Sequence, residues 1–183
     1  MSDRLLAATR KGLFILQGNG KGGWTLGEPH FVGDPVSMVL PDPRNGSLYV
    51  ALNLGHFGVK LHRRRAGMAD WEECAVPVYP PEPADEIRDG DGVHASTDTG
   101  ADNASAAMPS PPTPPWTLQQ IWSLETGGPD EAGVLWAGTI PGGLFRSGDG
   151  GDTWVLNRAL WDRPERREHR ARQARSAPHL PSQ

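Results

Sequence analysis

The sequence predicts an all-β protein, a partial β-propeller of about three blades of antiparallel four-stranded sheets, and three observations carry that expectation. Gly 23 and Pro 18 make 41 of 183 residues, about 22% against about 12% in average usage, so chain reversals are frequent. The apolar runs are short, and residues 1–161 show no helical periodicity. The same layout of runs also returns after 43 residues, from Leu5 to Leu48, inside the period of about 40–45 residues that marks propeller blades.

In chain order, three first runs stand out: Leu5-Leu6-Ala7-Ala8-Thr9, Leu48-Tyr49-Val50-Ala51-Leu52 and Leu135-Trp136-Ala137-Gly138-Thr139. Each is followed by a glycine-led second run, at Gly12–Ile15, Gly58–Leu61 and Gly143–Arg146. A third element opens at Trp24, Trp71 or Trp154. A fourth strand precedes the second and third units, at Pro35–Leu40 and Leu118–Leu124, and is missing from the first unit. With Gly and Pro at every junction, this is the pattern of an antiparallel meander.

The offset from Leu48 to Leu135 is 87, twice the period, and composition assigns the excess to an insertion. Between Pro77 and Pro115 lie nine Pro, seven acidic residues and one basic residue. Such a stretch buries too little apolar surface to offset its ordering entropy, so about 84–115 is expected to be disordered. Residues 163–183 carry six Arg and two Glu and are expected to form a basic disordered tail beyond a propeller region spanning 1–162.

The net charge of −4 gives no electrostatic footprint for nucleic acid. No run approaches the roughly 20 apolar residues of a membrane span. Cys74 is the single cysteine, so no internal disulfide is available and a cytoplasmic location is expected. Neither nucleic acid nor membrane is therefore anticipated as a partner, and no cofactor or metal is expected.

The most informative segment is Ser147-Gly148-Asp149-Gly150-Gly151-Asp152-Thr153-Trp154. It satisfies Ser-x-Asp-x-Gly-x-Thr-Trp, with Ser147, Asp149, Gly151, Thr153 and Trp154 at the fixed positions. Ser and Asp side chains can bond the turn's own amides, Gly supplies positive φ, and Trp packs between sheets. The segment resembles the Asp-box, or BNR repeat, of the sialidase-like β-propellers. The first unit keeps Asn19 and Trp24 of the motif, the second only Trp71, with Arg64, Ala66 and Met68 at the remaining positions. The resemblance covers about residues 4–160 and implies a glycosyl-hydrolase-like bacterial repeat protein.

That resemblance implies a substrate cleft on the face opposite the Asp-box turns. The loops on that face hold the ligand-binding candidates Arg10, Lys11, Asn53 and His56. A solvated Arg10 and a turn-bonded His56 are the plain alternatives. Glu28, His30 and Asp34 have ligand chemistry but no zinc spacing. Asp89-Gly90-Asp91-Gly92 lacks the rest of a calcium loop, and Cys74 reads as a small buried residue.

Catalytic residues are not identified. Sialidases resemble one another in an Arg triad, a Tyr nucleophile and an Asp acid, whereas other glycosidases use two carboxyl groups. Here the Arg-Ile-Pro phrase of many sialidases is missing, and neither Tyr49 nor Tyr79 stands on a cleft loop.

Without the insertion and tail the chain holds three periods, while closed propellers have about four to eight blades. It reads as an N-terminal fragment in which the frame shifts near Glu168. The expectation is a glycoside hydrolase (exo-sialidase-like) when complete, inactive as this chain. The alternatives are a non-catalytic scaffold binding a carbohydrate or a protein, self-association through open blade edges, or a truncated relic.

Overall fold

A computed structural model describes residues 3–80 and 116–165. The chain divides into two compact units, Met1–Val78 with Leu118–Gln183, and Tyr79–Thr117. Of the second, only residues 79–80 and 116–117 are described, so the expected disorder at 84–115 lies outside the described residues. So does the expected tail beyond Glu165.

The first unit is all-β, with three antiparallel sheets. The first contains β1 (Arg4–Thr9), β2 (Gly12–Gly18) and β3 (Trp24–Leu26) in that order. The second runs β4 (Val36–Pro41), β5 (Leu48–Asn53), β6 (Val59–Arg64) and β7 (Glu72–Cys74). The third runs β8 (Gln120–Thr126), β9 (Leu135–Ile140), β10 (Gly143–Ser147) and β11 (Val155–Leu156). Each sheet is a meander in which sequence neighbours pair, as short strands joined by Gly-containing turns require. The first sheet has three strands among the described residues.

The repeat extends to irregularities. β4 slips register between Val36 and Met38, and β8 slips in the same place, between Ile121 and Ser123. Such a bulge leaves one residue unpaired on the strand, Ser37 in β4 and Trp122 in β8. The Ser37 hydroxyl lies 3.2 Å from the Ala51 carbonyl and 3.1 Å from the Ile121 carbonyl, linking the second sheet to the third.

Strand alternation decides how the sheets stack. In β5 successive side chains point to opposite faces, and Leu48, Val50 and Leu52 enter a core shared with Leu13 of the first sheet. Tyr49 and Ala51 point the other way, into a core with Ile121, Leu124, Leu135 and Ala137 of the third. β5 is thereby buried on both faces, which explains its unbroken apolar sequence. Leu13, Leu61, Ile121, Leu124 and Leu135 are fully buried, each contributing about 1.5–3 kcal/mol.

Two of the three tryptophans that open a third element pack back on the preceding sheet. Trp154 joins the core between second and third sheets, and its Nε1–H donates to the Ala75 carbonyl at 2.9 Å. Trp71 joins the core between first and second. Trp24, with no preceding sheet among the described residues, is 51% exposed.

Two polar clamps reinforce the second joint. Arg63, itself buried, donates through Nη1 to the Gly150 carbonyl at 2.9 Å and pairs with Glu72 and Asp152. Arg44 bonds the carbonyls of Glu131 (2.6 Å) and Val134 (3.0 Å) while its guanidinium holds buried Asp42, whose carboxyl that bond pushes below its usual range.

Two expectations need adjusting. Residues 158–161 form a helical turn, α1 (Arg158–Trp161), where no helix was anticipated. Asn157 starts it by accepting the Leu160 amide at 3.1 Å, and four residues are too few for a periodic signal. Two of the third elements also begin one residue after the tryptophan expected to open them, at Glu72 and Val155, leaving Trp71 and Trp154 just ahead of their strands. No helix among the described residues is long and apolar enough to cross a membrane.

Candidate ligand-binding cleft

The Ser147–Trp154 turn behaves as its spacing requires. Ser147 Oγ accepts the Gly151 amide at 2.9 Å and donates to Asp149 Oδ1 at 2.8 Å. Asp149 accepts the Thr153 amide (2.9 Å) and hydroxyl (2.6 Å). The Thr153 hydroxyl, then the Thr153 amide and Ser147, hold the Asp149 carboxyl down to about 2. Gly150 and Gly151 have φ of +78° and +98°, conformations in which a Cβ is strained. Asn19 repeats the device, its Oδ1 accepting the amides of Lys21 and Gly23 at 2.9 Å each. In the second sheet Gly67 turns the chain and the Met68 amide bonds the Arg65 carbonyl at 3.1 Å.

A hollow of about 400 Å³ beside this turn is lined by Tyr49, Arg63, Asp149 and neighbours. Burial raises the Tyr49 phenol and the Cys74 thiol, so both stay protonated and neither is a nucleophile at neutral pH.

The opposite ends of the strands frame a larger cleft of about 630 Å³. All three sheets contribute. Arg10 comes from the β1–β2 turn, Asp34 to Ser37 lead into β4, Asn53 to Gly55 and Phe57 follow β5, and Gln120 begins β8. The Asn53 Nδ2–H donates to Gln120 Oε1 at 3.5 Å, across the second and third sheets. Its Oδ1 accepts the Gly55 amide at 3.3 Å, so both ends of its side-chain amide are held, and its backbone amide donates to Pro35 O at 3.0 Å.

Asp34 is positioned by the preceding loop. Its amide bonds the Phe31 carbonyl at 3.0 Å, and the Gly33 amide bonds the Lys11 carbonyl at 3.1 Å. Phe31 has φ +53°, a backbone state costing about 1–2 kcal/mol, and its ring is wedged against His62 and Trp71, both 4.9 Å between centroids. Packing of the first joint thereby fixes a residue of the cleft.

Of the sequence candidates, Arg10 and Asn53 line the cleft and Lys11 and His56 do not. Lys11 is exposed, with its amide on Thr9 Oγ1 at 3.0 Å. His56 sits in the exposed 3₁₀ turn Gly55–Phe57 with its ring 4.1 Å from that of Phe57, the member of the pair that does line the cleft. Gln120 carries no sequence signal, since a Gln at a strand start is unremarkable until the fold sets it beside Asn53.

Chemically, the lining offers a guanidinium, two amides that both donate and accept, one carboxylate, and the exposed faces of Leu54 and Phe57. Convergent polar groups beside an apolar patch are the makings of a small-molecule site. Among the described residues that line it, Asp34 is the sole carboxylate, where glycosidases of the two-carboxyl type need a pair. No protein-family model and no curated protein matches the chain.

Proposed function

We propose that the chain is a sialidase-like Asp-box β-propeller protein, each sheet one blade, and that its cleft binds a carbohydrate without hydrolysing it. The observation that carries this reading is the convergence of Arg10, Asp34, Asn53 and Gln120 from three successive sheets on one cleft. The register of the repeats, the matching bulges and the Asp-box bonds support the propeller part. Hydroxyl-rich ligands take both donors and acceptors, which Asn53 and Gln120 supply, and the Phe57 ring provides an apolar platform for a sugar's C–H face. Arg10 favours a ligand that also carries a carboxylate. The single lining carboxylate, with a buried and protonated Tyr49, favours binding over turnover.

Calorimetric titration of the 183-residue chain with sialosides, uronate oligosaccharides and neutral oligosaccharides, run beside fluorogenic glycosides, tests the proposal. Binding of one class without turnover is expected. Turnover, or no binding by any class, overturns it. A protein-binding scaffold is the second reading, favoured by the apolar faces left open on the first and third sheets.

A further inference from the structure

The two outermost sheet faces are apolar and exposed. On the first sheet, Leu5, Phe14, Leu16, Trp24 and Leu26 share the face turned away from the second sheet. On the third, Trp122, Trp136, Ile140, Leu144 and Val155 share the face turned away from the second sheet. Strands that pack nothing ordinarily present polar residues outward.

Position within the repeat says what each face is shaped for. Leu48 and Leu135 occupy the same place in the second and third sheets, and each is buried in the joint with the preceding sheet. Leu5 is their counterpart and is 48% exposed. Trp71 and Trp154 pack back in the same way, while Trp24 packs on no preceding sheet among the described residues and is 51% exposed. The first sheet thus offers the receding half of a joint, and the third sheet offers the leading half.

A polar pair follows the same logic. Arg63 stands opposite Tyr49 in register and grips the Gly150 carbonyl of the next sheet. Arg146 stands opposite Trp136, the matching place in the third sheet, and is exposed. Gly20 follows Asn19 as Gly150 follows Asp149, with φ of +71° against +78°.

We propose that two copies of this chain join head to tail, the third sheet of each packing on the first sheet of the other, to close a ring of six sheets. The inference rests on the propeller reading. The occupant is a second copy because the two open faces are the two halves of one joint that the chain already makes twice internally. Repetition of such a heterologous joint gives a closed ring where the rotation closes. Rings of such sheets hold about four to eight, and twice the three described sheets falls in that range.

The area is sufficient. A half-exposed large side chain leaves on the order of 100 Å² open. Leu5, Trp24 and Leu26 against Trp122, Ile140 and Val155 therefore cover roughly 600 Å² per joint, and two joints exceed the about 1,000 Å² of a specific interface. Arg146 of each copy would meet the Gly20 carbonyl of the other. The two-fold axis would run along the ring, so both clefts open at one end.

Light scattering on the size-separated 183-residue chain, over a range of concentrations, tests this. The expected result is twice the chain mass. Trp24→Glu and Arg146→Glu should each weaken dimerisation at least about tenfold, and an equimolar mixture of the two variants should recover dimer, because a mixed pair has one native joint. Cooperative thermal melting of each variant checks folding, with Leu26→Gln and Val155→Gln as substitutes if either fails. Loss of dimer with Arg146→Glu but not Trp24→Glu means a face-to-face dimer and overturns the proposal, as do a monomer at every concentration, open fibres, or another copy number. Sugar titration reads the cleft independently of mass, and Arg63→Ala reads the internal joint, so failure of the dimer and failure of the propeller reading are separable.

Discussion

Arg63 donates to the carbonyl of Gly150 at 2.9 Å across 87 residues of sequence. That bond joins the second sheet to the Ser147–Trp154 turn of the third, where a buried carbonyl would otherwise lose its partner. Truncating Arg63 removes a charge-assisted bond and leaves Gly150 O unsatisfied, together about 2–3 kcal/mol. Arg63→Ala is expected to lower the thermal midpoint by roughly 5–10 °C, with Arg63→Lys in between, measured by circular dichroism. An unchanged midpoint for Arg63→Ala would show that the clamp is idle.

Asp149 gives the turn an acid sensitivity. Its folded carboxyl is held at about 2, below the unfolded value near 3.9, so its contribution is complete above about pH 4 and is lost as pH falls through about 2. The group is exposed, and solvent screening keeps the effect to about 1 kcal/mol. Asp149→Ala should lower the midpoint at pH 7, and the difference from the parent should shrink as pH falls through about 2. A difference independent of pH would place the loss in packing.

The first joint responds in a different range. Burial lowers both His30 and His62, helped at His30 by Arg64 and opposed at His62 by Glu73. Folding therefore favours the neutral rings, and the stability is full above about pH 6.5 and falls as pH drops through the folded values. His62 packs on Phe31, so its protonation strains the loop that carries Asp34. The thermal midpoint should drop between pH 7.5 and 5, and His62→Phe should flatten that drop. An equal slope in the variant would exclude His62.

Arg10 and Asn53 bear on binding alone. Arg10 is a turn residue, and Asn53 makes few bonds beyond the cleft rim. Arg10→Ala and Asn53→Ala should each weaken saccharide affinity by about tenfold or more with midpoints within about 2 °C of the parent. Lys11→Ala and His56→Ala, whose side chains lie outside the lining, should bind as the parent does.

What was legible in the sequence follows from range. Ser147, Asp149 and Gly151 bond within a four-residue span, so their spacing alone announces the turn, and Asn19 announces its weaker copy. Strand positions showed in apolar runs bounded by glycine, and the burial of β5 in its unbroken Leu48–Leu52. The Arg63 and Arg44 clamps join residues up to 90 positions apart, and no local pattern encodes them. The cleft was half legible: its loops stood out, but Phe57 instead of His56, and Gln120 beside Asn53, depend on side-chain direction and on sheets meeting. The exposed faces could not be told from core, because Trp24 and Trp154 look alike until the neighbour of each is known.

The most direct test of the functional account is residue-resolved amide chemical-shift mapping of the chain during titration with the saccharide class that binds. Perturbations are expected on Arg10, Asp34, Val36, Ser37, Asn53 to Phe57 and Gln120, contributed by all three sheets and shifted to higher ligand concentration in Arg10→Ala. Perturbations centred on the turn at Ser147–Thr153, or confined to one sheet, would contradict carbohydrate binding in this cleft.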